Sequence, residues 1–410
     1  MKRWGLMVLA GSCAAAASVS VVWTARAART ASAPKGVDGS VITWKKIVLD
    51  KEFRSEGVTV MDVNKDGKPD VVAGNFWYEA PNWIPHEIEP AQKFDGEHGY
   101  SNSFLNYTSD VNGDGWADQI VVGFPGAPAT WRENPGNKVY KPGPWKEHPL
   151  FHSACNESAG FGDLLGNKKP VCCFGYDEKT MAWYEPGSDL NKEFVNHDLS
   201  PASQANAPGA ARFWHGMGIG DVNGDGRPDV ITRAGYYEAP KDPRTSPWNF
   251  VAANLGPDCA QMYAYDVNGD GIPDVVSSSS HGIGVWWFEQ KKGANGPEFT
   301  QHVIDDSFSQ SHSLVMADIN GDGVMDFVTG KRFWAHGPTG DVRPGDPAVI
   351  YWFELKRKNG QVEWTKHEVD NDSGVGTQFL VADVNKDGKP DIITSNKKGV
   401  FVFLQERKKK

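Results

Sequence analysis

Short apolar runs separated by acidic, glycine-bearing turns fill this chain, and no stretch after residue 33 keeps a helical period. One unit shows the pattern: Gly57-Val-Thr-Val-Met61, an acidic turn, Val71-Val72, then Trp77-Tyr-Glu79, then a segment carrying Trp83 and His86. Runs this short, rich in β-branched and aromatic residues and bounded by glycine and aspartate, predict strands. The third run recurs as Trp131-Arg-Glu133, Trp183-Tyr-Glu185, Tyr236-Tyr-Glu238, Trp287-Phe-Glu289 and Trp352-Phe-Glu354. The fourth recurs as an aromatic residue with a histidine three places on: Trp145 and His148, Phe194 and His197, Phe299 and His302, Trp364 and His367.

The turn between the first two runs is the most regular element. In Asp221-Val-Asn223-Gly-Asp225-Gly226-Arg-Pro-Asp229, oxygen-bearing side chains stand at positions one, three, five and nine and a glycine at six. That order matches the first nine residues of an EF-hand-type calcium loop, because a hard cation wants six to eight oxygens and the chain must turn sharply to supply them. The strand-forming residues that follow place the loop between strands rather than helices. Five more copies keep the full set: Asp62, Asn64, Asp66, Asp70; Asp110, Asn112, Asp114, Asp118; Asp266, Asn268, Asp270, Asp274; Asp318, Asn320, Asp322, Asp326; and Asp383, Asn385, Asp387, Asp391. A seventh copy, Asp163-Leu-Leu-Gly-Asn167-Lys-Lys-Pro, has leucine at position three and lysine at six and seven and is expected to bind no metal.

The seven copies start 48, 53, 58, 45, 52 and 65 residues apart. Repeats of roughly 40 to 50 residues built from short strands are propeller blades. The expected fold is all-β, a seven-bladed β-propeller of four-stranded blades spanning residues 42–405. The seventh repeat ends near Gly399-Val-Phe-Val-Phe-Leu404 without a fourth strand, while an orphan fourth strand, Ile42 to Leu49, precedes the first repeat. The N-terminal strand is therefore expected to complete the last blade and remove the open edge.

Composition changes this picture in three places. The formal charge of -10 suggests an acidic surface, but six filled loops would add +12 and leave about +2. No basic stripe appears except the tail at 406–410, which argues against nucleic acid. Residues 1–33 combine Lys2 and Arg3, an apolar run from Trp4 to Trp23 and Ala-x-Ala sites ending at Ala27 and Ala33, a signal peptide or an uncleaved signal anchor. Cys13 lies in a poor lipobox. The expected location is secreted, periplasmic or cell surface, with the membrane contacted only through an uncleaved leader and residues 34–41 as linker. Cys155, Cys172, Cys173 and Cys259 would remain in a mature chain, and their pairing is open.

Strand order separates two faces. The acidic loops join first to second strands on a lower face; the upper face is built from the segments leading into each first strand and from the second-to-third connections. Five histidines sit at the repeated fourth-strand position, which Ile47 and Val251 fill elsewhere, and read as packing residues, as do the Trp-Tyr-Glu motifs. The remaining six, His98, His152, His215, His281, His312 and His336, follow no repeat and all fall on the upper face. With them come Tyr100, Asn102, Asn156, Glu157, Trp214, Arg233, Gln310, Lys331, Arg332, Trp334, Gln378 and Lys397. The insertion from Lys331 to Val349 is longer than a blade turn needs. Six residues before each loop aspartate stand Glu56, Phe104, Glu157, His215, Ala260, His312 and Thr377, expected at one height around the axis. Two carboxylates and two imidazoles there could hold a second metal such as zinc, serve as acid and base, or line a wet channel.

With its acidic loops at blade spacing, the chain resembles the FG-GAP or VCBS repeat family, the calcium-loop propellers also found in integrin α-subunits. The resemblance covers about residues 43–404 and implies the fold strongly. For function it implies a menu: adhesion domains, lectins, and propeller parts of sugar dehydratases and polysaccharide lyases. The expectation drawn from it is a carbohydrate or other small polar ligand at the upper face, with Trp214 and Trp334 stacking on sugar rings and Arg233, Lys331 and Arg332 meeting hydroxyls or a carboxylate. If the site is catalytic, the reaction is β-elimination or dehydration of a sugar, with His215 or His312 as base, Tyr100 as acid and Arg332 stabilising the enolate. The alternative is a non-catalytic lectin-like or adhesion propeller with an extracellular protein partner.

Overall fold

A computed structural model describes residues 35–201, 207–358 and 360–408. The leader and the last two lysines lie outside the described residues. Seven four-stranded antiparallel sheets form the blades of a propeller, each ordered first to fourth strand, and no α-helix occurs among the described residues. Blade 1 is β2(Thr59–Met61), β3(Asp70–Ala73), β4(Phe76–Glu79) and β5(Ile84–Glu87). Blade 2 is β6(Leu105–Ser109) to β9(Lys146–Ala154), blade 3 β10(Gly160–Gly162) to β13(Val195–Asp198), and blade 4 β14(Met217–Gly220) to β17(Asn249–Ala252). Blade 5 is β18(Tyr263–Tyr265), β19(Asp274–Ser278), β20(Ile283–Gly293) and β21(Gly296–Ser309). Blade 6 is β22(Ser313–Ala317), β23(Asp326–Gly330), β24(Ile350–Lys358) and β25(Gln361–Asp370).

Blade 7 takes β26(Leu380–Ala382), β27(Asp391–Asn396) and β28(Gly399–Lys408) from the end of the chain and β1(Val41–Asp50) from its start. The two termini pair antiparallel from Val41 with Lys408 to Asp50 with Val400. The pairing runs further than the sequence suggested. Residues 406–408, read there as part of a basic tail, are strand residues opposite Val41 to Thr43. Without β1, the buried face of β28 (Val400, Phe401, Val402 and Phe403) and its ladder of backbone groups would meet water.

The repeated aromatic and histidine positions face each other across the third and fourth strands. Trp77 pairs with His86, Trp131 with His148, Trp183 with His197, Trp287 with His302 and Trp352 with His367. In each pair the rings stack with centroids 4.1–4.5 Å apart. Each histidine Nε2 also meets the glutamate two residues after that tryptophan on the third strand, at 2.8–3.1 Å. Where the third strand carries Tyr236 or Val402, the partner is Val251 or Ile47. The histidine is thus selected by the tryptophan and glutamate opposite it, and an aliphatic residue replaces it when the tryptophan is gone.

Neighbouring blades are joined by side-chain amides that reach back to the second residue of the preceding acidic loop. Asn134 Nδ2 donates to the Val63 carbonyl at 3.0 Å, Gln290 Nε2 to Val222 at 2.9 Å and Gln405 Nε2 to Ile319 at 3.0 Å. In blade 6, where that residue is Leu355, Arg357 Nε donates to Val267 at 3.0 Å instead.

The four cysteines described are buried free thiols. Burial pushes the Cys172 and Cys259 thiols up to about 12, so neither is a thiolate at neutral pH.

Two expectations follow. Deleting Val41 to Asp50 should abolish cooperative melting followed by circular dichroism, and a truncated chain that melts as sharply as the intact one would refute the closure argument. His148→Ala, which removes a buried stack and a bond to Glu133, should lower unfolding free energy by about 2 kcal/mol in urea titration. His302→Ala should cost less, because its side chain is 40% exposed.

Candidate functional site

On the lower face all six acidic loops share one geometry. The position-one carboxylate accepts the amide of the position-six glycine at 2.8–2.9 Å. Position three accepts the amide of position five, and position five that of position seven. The glycine has φ between +80° and +87°, which a side chain adopts only under strain. Position nine is fully buried, and its two oxygens are divided. One accepts the position-two amide at 2.9–3.1 Å; the other accepts, at 2.8–3.0 Å, the amide of Ala80, Asn134 or Ala239 just past the third strand, or of Gln290, Leu355 or Gln405 within it.

Two features of these loops suit a hard cation. Burial pushes the position-nine carboxyls of Asp70 and Asp118 up to about 7, that of Asp326 to about 8, and those of Asp229, Asp274 and Asp391 to about 6, so each loop holds a carboxylate short of positive charge. In blade 1, Asp62 Oδ1 is buried without a hydrogen-bond partner. Blade 3 keeps the turn, with Asp163 Oδ2 accepting the Lys168 amide at 2.8 Å, but has Leu165 and Val171 at positions three and nine.

The upper hub is assembled from lead-in segments, which belong to no sheet and are tied to each other. Glu56 donates its amide to Ser103, Thr377 donates to Glu56, and Glu157 donates to Trp214. Gly376 is required there, since a Cβ would overlap the carbonyl oxygens of Glu56 and Ser395. Glu157, His215 and His312 converge from blades 3, 4 and 6. Arg332 joins them from the β23–β24 connection, where its amide bonds the Gln310 carbonyl, and His281 from the β19–β20 turn.

Glu157 Oε2 lies 3.1 Å from Arg332 Nη1, 3.3 Å from His312 Nε2 and 3.4 Å from His215 Nε2. His215 Nε2 lies 3.1 Å from both His312 Nε2 and His281 Nε2, and Arg332 Nη1 lies 2.9 Å from His312 Nε2. Burial works to raise the Glu157 carboxyl, but its hydrogen bond to His215 and the charges around it hold it well below the usual range. Burial, then the Arg332 charge, holds the His312 imidazole well below its ordinary value, so it is neutral.

Above this floor the groups become more open. Asp341, from the β23–β24 connection, faces His281 Nδ1 at 3.2 Å and His336 Nδ1 at 2.9 Å. Tyr100 donates its hydroxyl to the Ala335 carbonyl at 3.0 Å. Lys397 Nζ sits 4.4 Å from the centre of the Tyr100 ring, and burial followed by the Arg332 charge lowers its amine to about 8. Glu56 lies apart from Glu157, bonded to Ser101, and burial raises its carboxyl.

The other upper-face candidates do not join the cluster. Asn156 is buried between the Gly209 carbonyl and the Gly175 amide; Gln378 clasps Val58 and Asn106. Gln310 bonds the Val342 carbonyl, and Lys331, fully buried, holds Ser309 and the Arg343 carbonyl. These four stitch backbone. Arg233 lies over Trp214 at 4.3 Å and lines a shallow, open depression with Ala252 and Asn254. Trp334 is pinned by its Nε1 to the Pro344 carbonyl. His98 and Asn102 are exposed, paired with Asp95 and Gln92, and His152 is exposed between Asp177 and Glu193.

Asp341 has no counterpart among the residues singled out in the sequence, and Lys397 carried no assigned role there. Asp341 sits in an insertion without periodicity, so only its place in an over-long upper-face connection pointed to it.

The FG-GAP repeat profile matches residues 213–241 and the FG-GAP-like repeat profile residues 266–329, consistent with an FG-GAP-repeat propeller. No curated protein sequence matches the chain. Among solved structures, the rhamnogalacturonan lyase YesW is similar at 13% identity and a TM-score of 0.42, over 91% of this chain and 74% of that one. The exotype rhamnogalacturonan lyase YesX is similar at 12% identity, with a TM-score of 0.43 and the same coverages. An auxiliary nutrient binding protein from Bacteroides ovatus is similar at 10% identity and a TM-score of 0.45, over 91% of this chain and 82% of that one. None of these similarities bears on the chemistry of the hub.

Proposed function

We propose that the upper hub is the active site of an exported, calcium-stabilised propeller that binds an acidic or keto carbohydrate and eliminates across the bond next to its carbonyl. The observation that supports this most is the convergence of Glu157, His215, His281, His312 and Arg332 on one another, since blade packing needs none of them. Elimination requires a base for the proton beside the carbonyl, positive charge where the enolate forms, and an acid for the leaving oxygen.

The division of burial supports one allocation of these roles. His312 is fully enclosed and its Nε2 faces Arg332, so it belongs to the floor rather than to the substrate. Arg332, 3% exposed, supplies fixed positive charge in a dry setting, where it acts most strongly. Lys397, half-buried with its amine near 8, is the base; Tyr100 beside it is the acid. The carboxylates Glu56, Asp95 and Glu157 oppose the lowering of the Lys397 amine by burial and Arg332.

The test is to incubate the full chain, with calcium present, with uronate oligosaccharides and keto-sugars and follow the ultraviolet absorbance of the conjugated product. Lys397→Ala and Tyr100→Phe should each lower kcat/KM by about 10²- to 10⁴-fold. A base must be deprotonated to act, so the wild-type rate should rise with pH through about 8 and then level. No turnover and no glycan binding by the folded protein would leave the adhesion alternative and remove this reading.

Calcium in the six loops should be visible as stability. At tenfold excess over its Kd, an ion bound only to the folded state adds about 1.4 kcal/mol per site. Chelation should lower the melting temperature, calcium should restore it, and Asp221→Ala should remove part of the gain. A melting temperature insensitive to chelator would exclude ions from the loops.

A further inference from the structure

We propose that His215, His281 and His312 bind one divalent transition-metal ion, zinc by the chemistry of the donors, with Glu157 as fourth ligand and Asp341 orienting His281. Three imidazoles on different blades aim the same atom, Nε2, at one point. All three lie within 4.8 Å of one another, two of the separations being 3.1 Å. Tetrahedral zinc with bonds of about 2.0–2.1 Å spaces its ligand atoms about 3.3–3.4 Å apart, which the 3.3 and 3.4 Å distances from Glu157 Oε2 to His312 and His215 also match.

Hydrogen bonding alone does not account for the cluster. His281 Nδ1 makes no hydrogen bond, but Asp341 Oδ1 faces it at 3.2 Å, and the carboxylate's charge favours the tautomer with the proton on Nδ1 and a lone pair on Nε2. Arg332 Nη1, which can only donate, lies 2.9 Å from His312 Nε2, so that nitrogen is also a lone pair. The proton of His312 then sits on Nδ1, which is buried without a partner. His215 Nε2 is left between two lone pairs and a carboxylate oxygen, and a single N–H can satisfy one of the three. A cation satisfies all of them.

Charge agrees with this assignment. With neutral imidazoles, Glu157 and Asp341 outweigh Arg332 by one negative charge, and a metal ion on the single His312 Nε2 lone pair takes the place of the 2.9 Å contact from Arg332 Nη1, which keeps its bond to Glu157. The carboxylate–histidine–metal arrangement is a common outer-shell device that fixes the ring tautomer and raises ligand basicity.

This inference does not depend on the carbohydrate reading: a sugar screen can fail while the metal binds, and the metal can be absent from an active protein. The full chain is stripped with chelator, returned to excess calcium so that the loops are supplied, and titrated with Zn²⁺ by calorimetry and with Co²⁺ by visible absorption. The expected result is one Zn²⁺ per chain and the intense d–d bands of four-coordinate cobalt. His281→Ala, at a partly exposed position, and His215→Ala should each weaken binding by more than the ~100-fold at the top of the outer-shell range, and Asp341→Asn by ~10- to 100-fold. His152→Ala, an exposed histidine elsewhere on the upper face, should change nothing. Should His215→Ala fail to fold, His281→Ala and the wild-type cobalt spectrum decide. Absence of saturable binding by the folded wild type, or equal binding by His281→Ala, would overturn the proposal.

Discussion

The buried carboxylate at position nine of each acidic loop is the contact on which the rest of this architecture depends. Its two oxygens are committed to two amides far apart in sequence, one at the start of its own loop and one in or just past the third strand. A single side chain thereby ties the first, second and third strands of a blade at their lower ends. Burying it raises its pKa, so the loop is under electrostatic pressure that a proton or a cation at the turn relieves. Blade 3 shows what the clamp adds. Val171 replaces the aspartate, yet the turn survives through Asp163, and β10 and β11 pack against β14 and β9 of the two neighbouring blades. Once six lower ends are clamped and β1 has closed the ring, the upper ends of the inner strands have little freedom left.

That rigidity explains why polar residues crowd the hub. The lead-in segments there lie outside the sheets, so the backbone groups not bonded between segments need partners from side chains. Asn156, Gln378, Gln310 and Lys331 answer that need, each bonded to main-chain atoms of neighbouring segments. Glu157, His215, His281, His312 and Arg332 do the opposite. Their polar atoms are turned on one another, which no backbone requirement explains. Unrepeated polar residues at a propeller axis thus have two unrelated causes, and the identity of each partner separates them.

The distinction also marks where sequence reasoning stopped. Blade number, blade closure and the packing role of the fourth-strand histidines follow from periodicity, because each is repeated and repetition exposes the exceptions. Even the exceptions were informative: Ile47 and Val251 stand where the opposing tryptophan is absent. The hub has no such comparison. The shared register placed Glu157, His215 and His312 together, but the arrival of His281 depends on the β19–β20 turn, where Ser279 and Asp258 fix the backbone. Asp341 depends on how the Lys331–Val349 insertion folds back. Asn156 and Glu157 are adjacent in sequence and both buried, yet one serves the backbone and the other the cluster. No local pattern encodes that difference.

Exposure at the hub rises in steps that constrain any chemistry done there. Side-chain exposure is 0% for His312, 7% for His215, 20% for His281 and 50% for His336. A proton moving to or from a substrate must pass through the outer groups, because the inner ones are already engaged and shielded. The inner groups can act only through fixed charge or as ligands, and both are strengthened by the dryness that prevents proton exchange. Lys397 and Tyr100 stand at the boundary, buried enough for their ionisation to shift and open enough to be reached. The face opposite the acidic loops therefore separates an electrostatic floor from a titratable mouth. Clamping the lower rim holds that separation in place, since the lead-in segments that carry the floor begin where the clamped blades end.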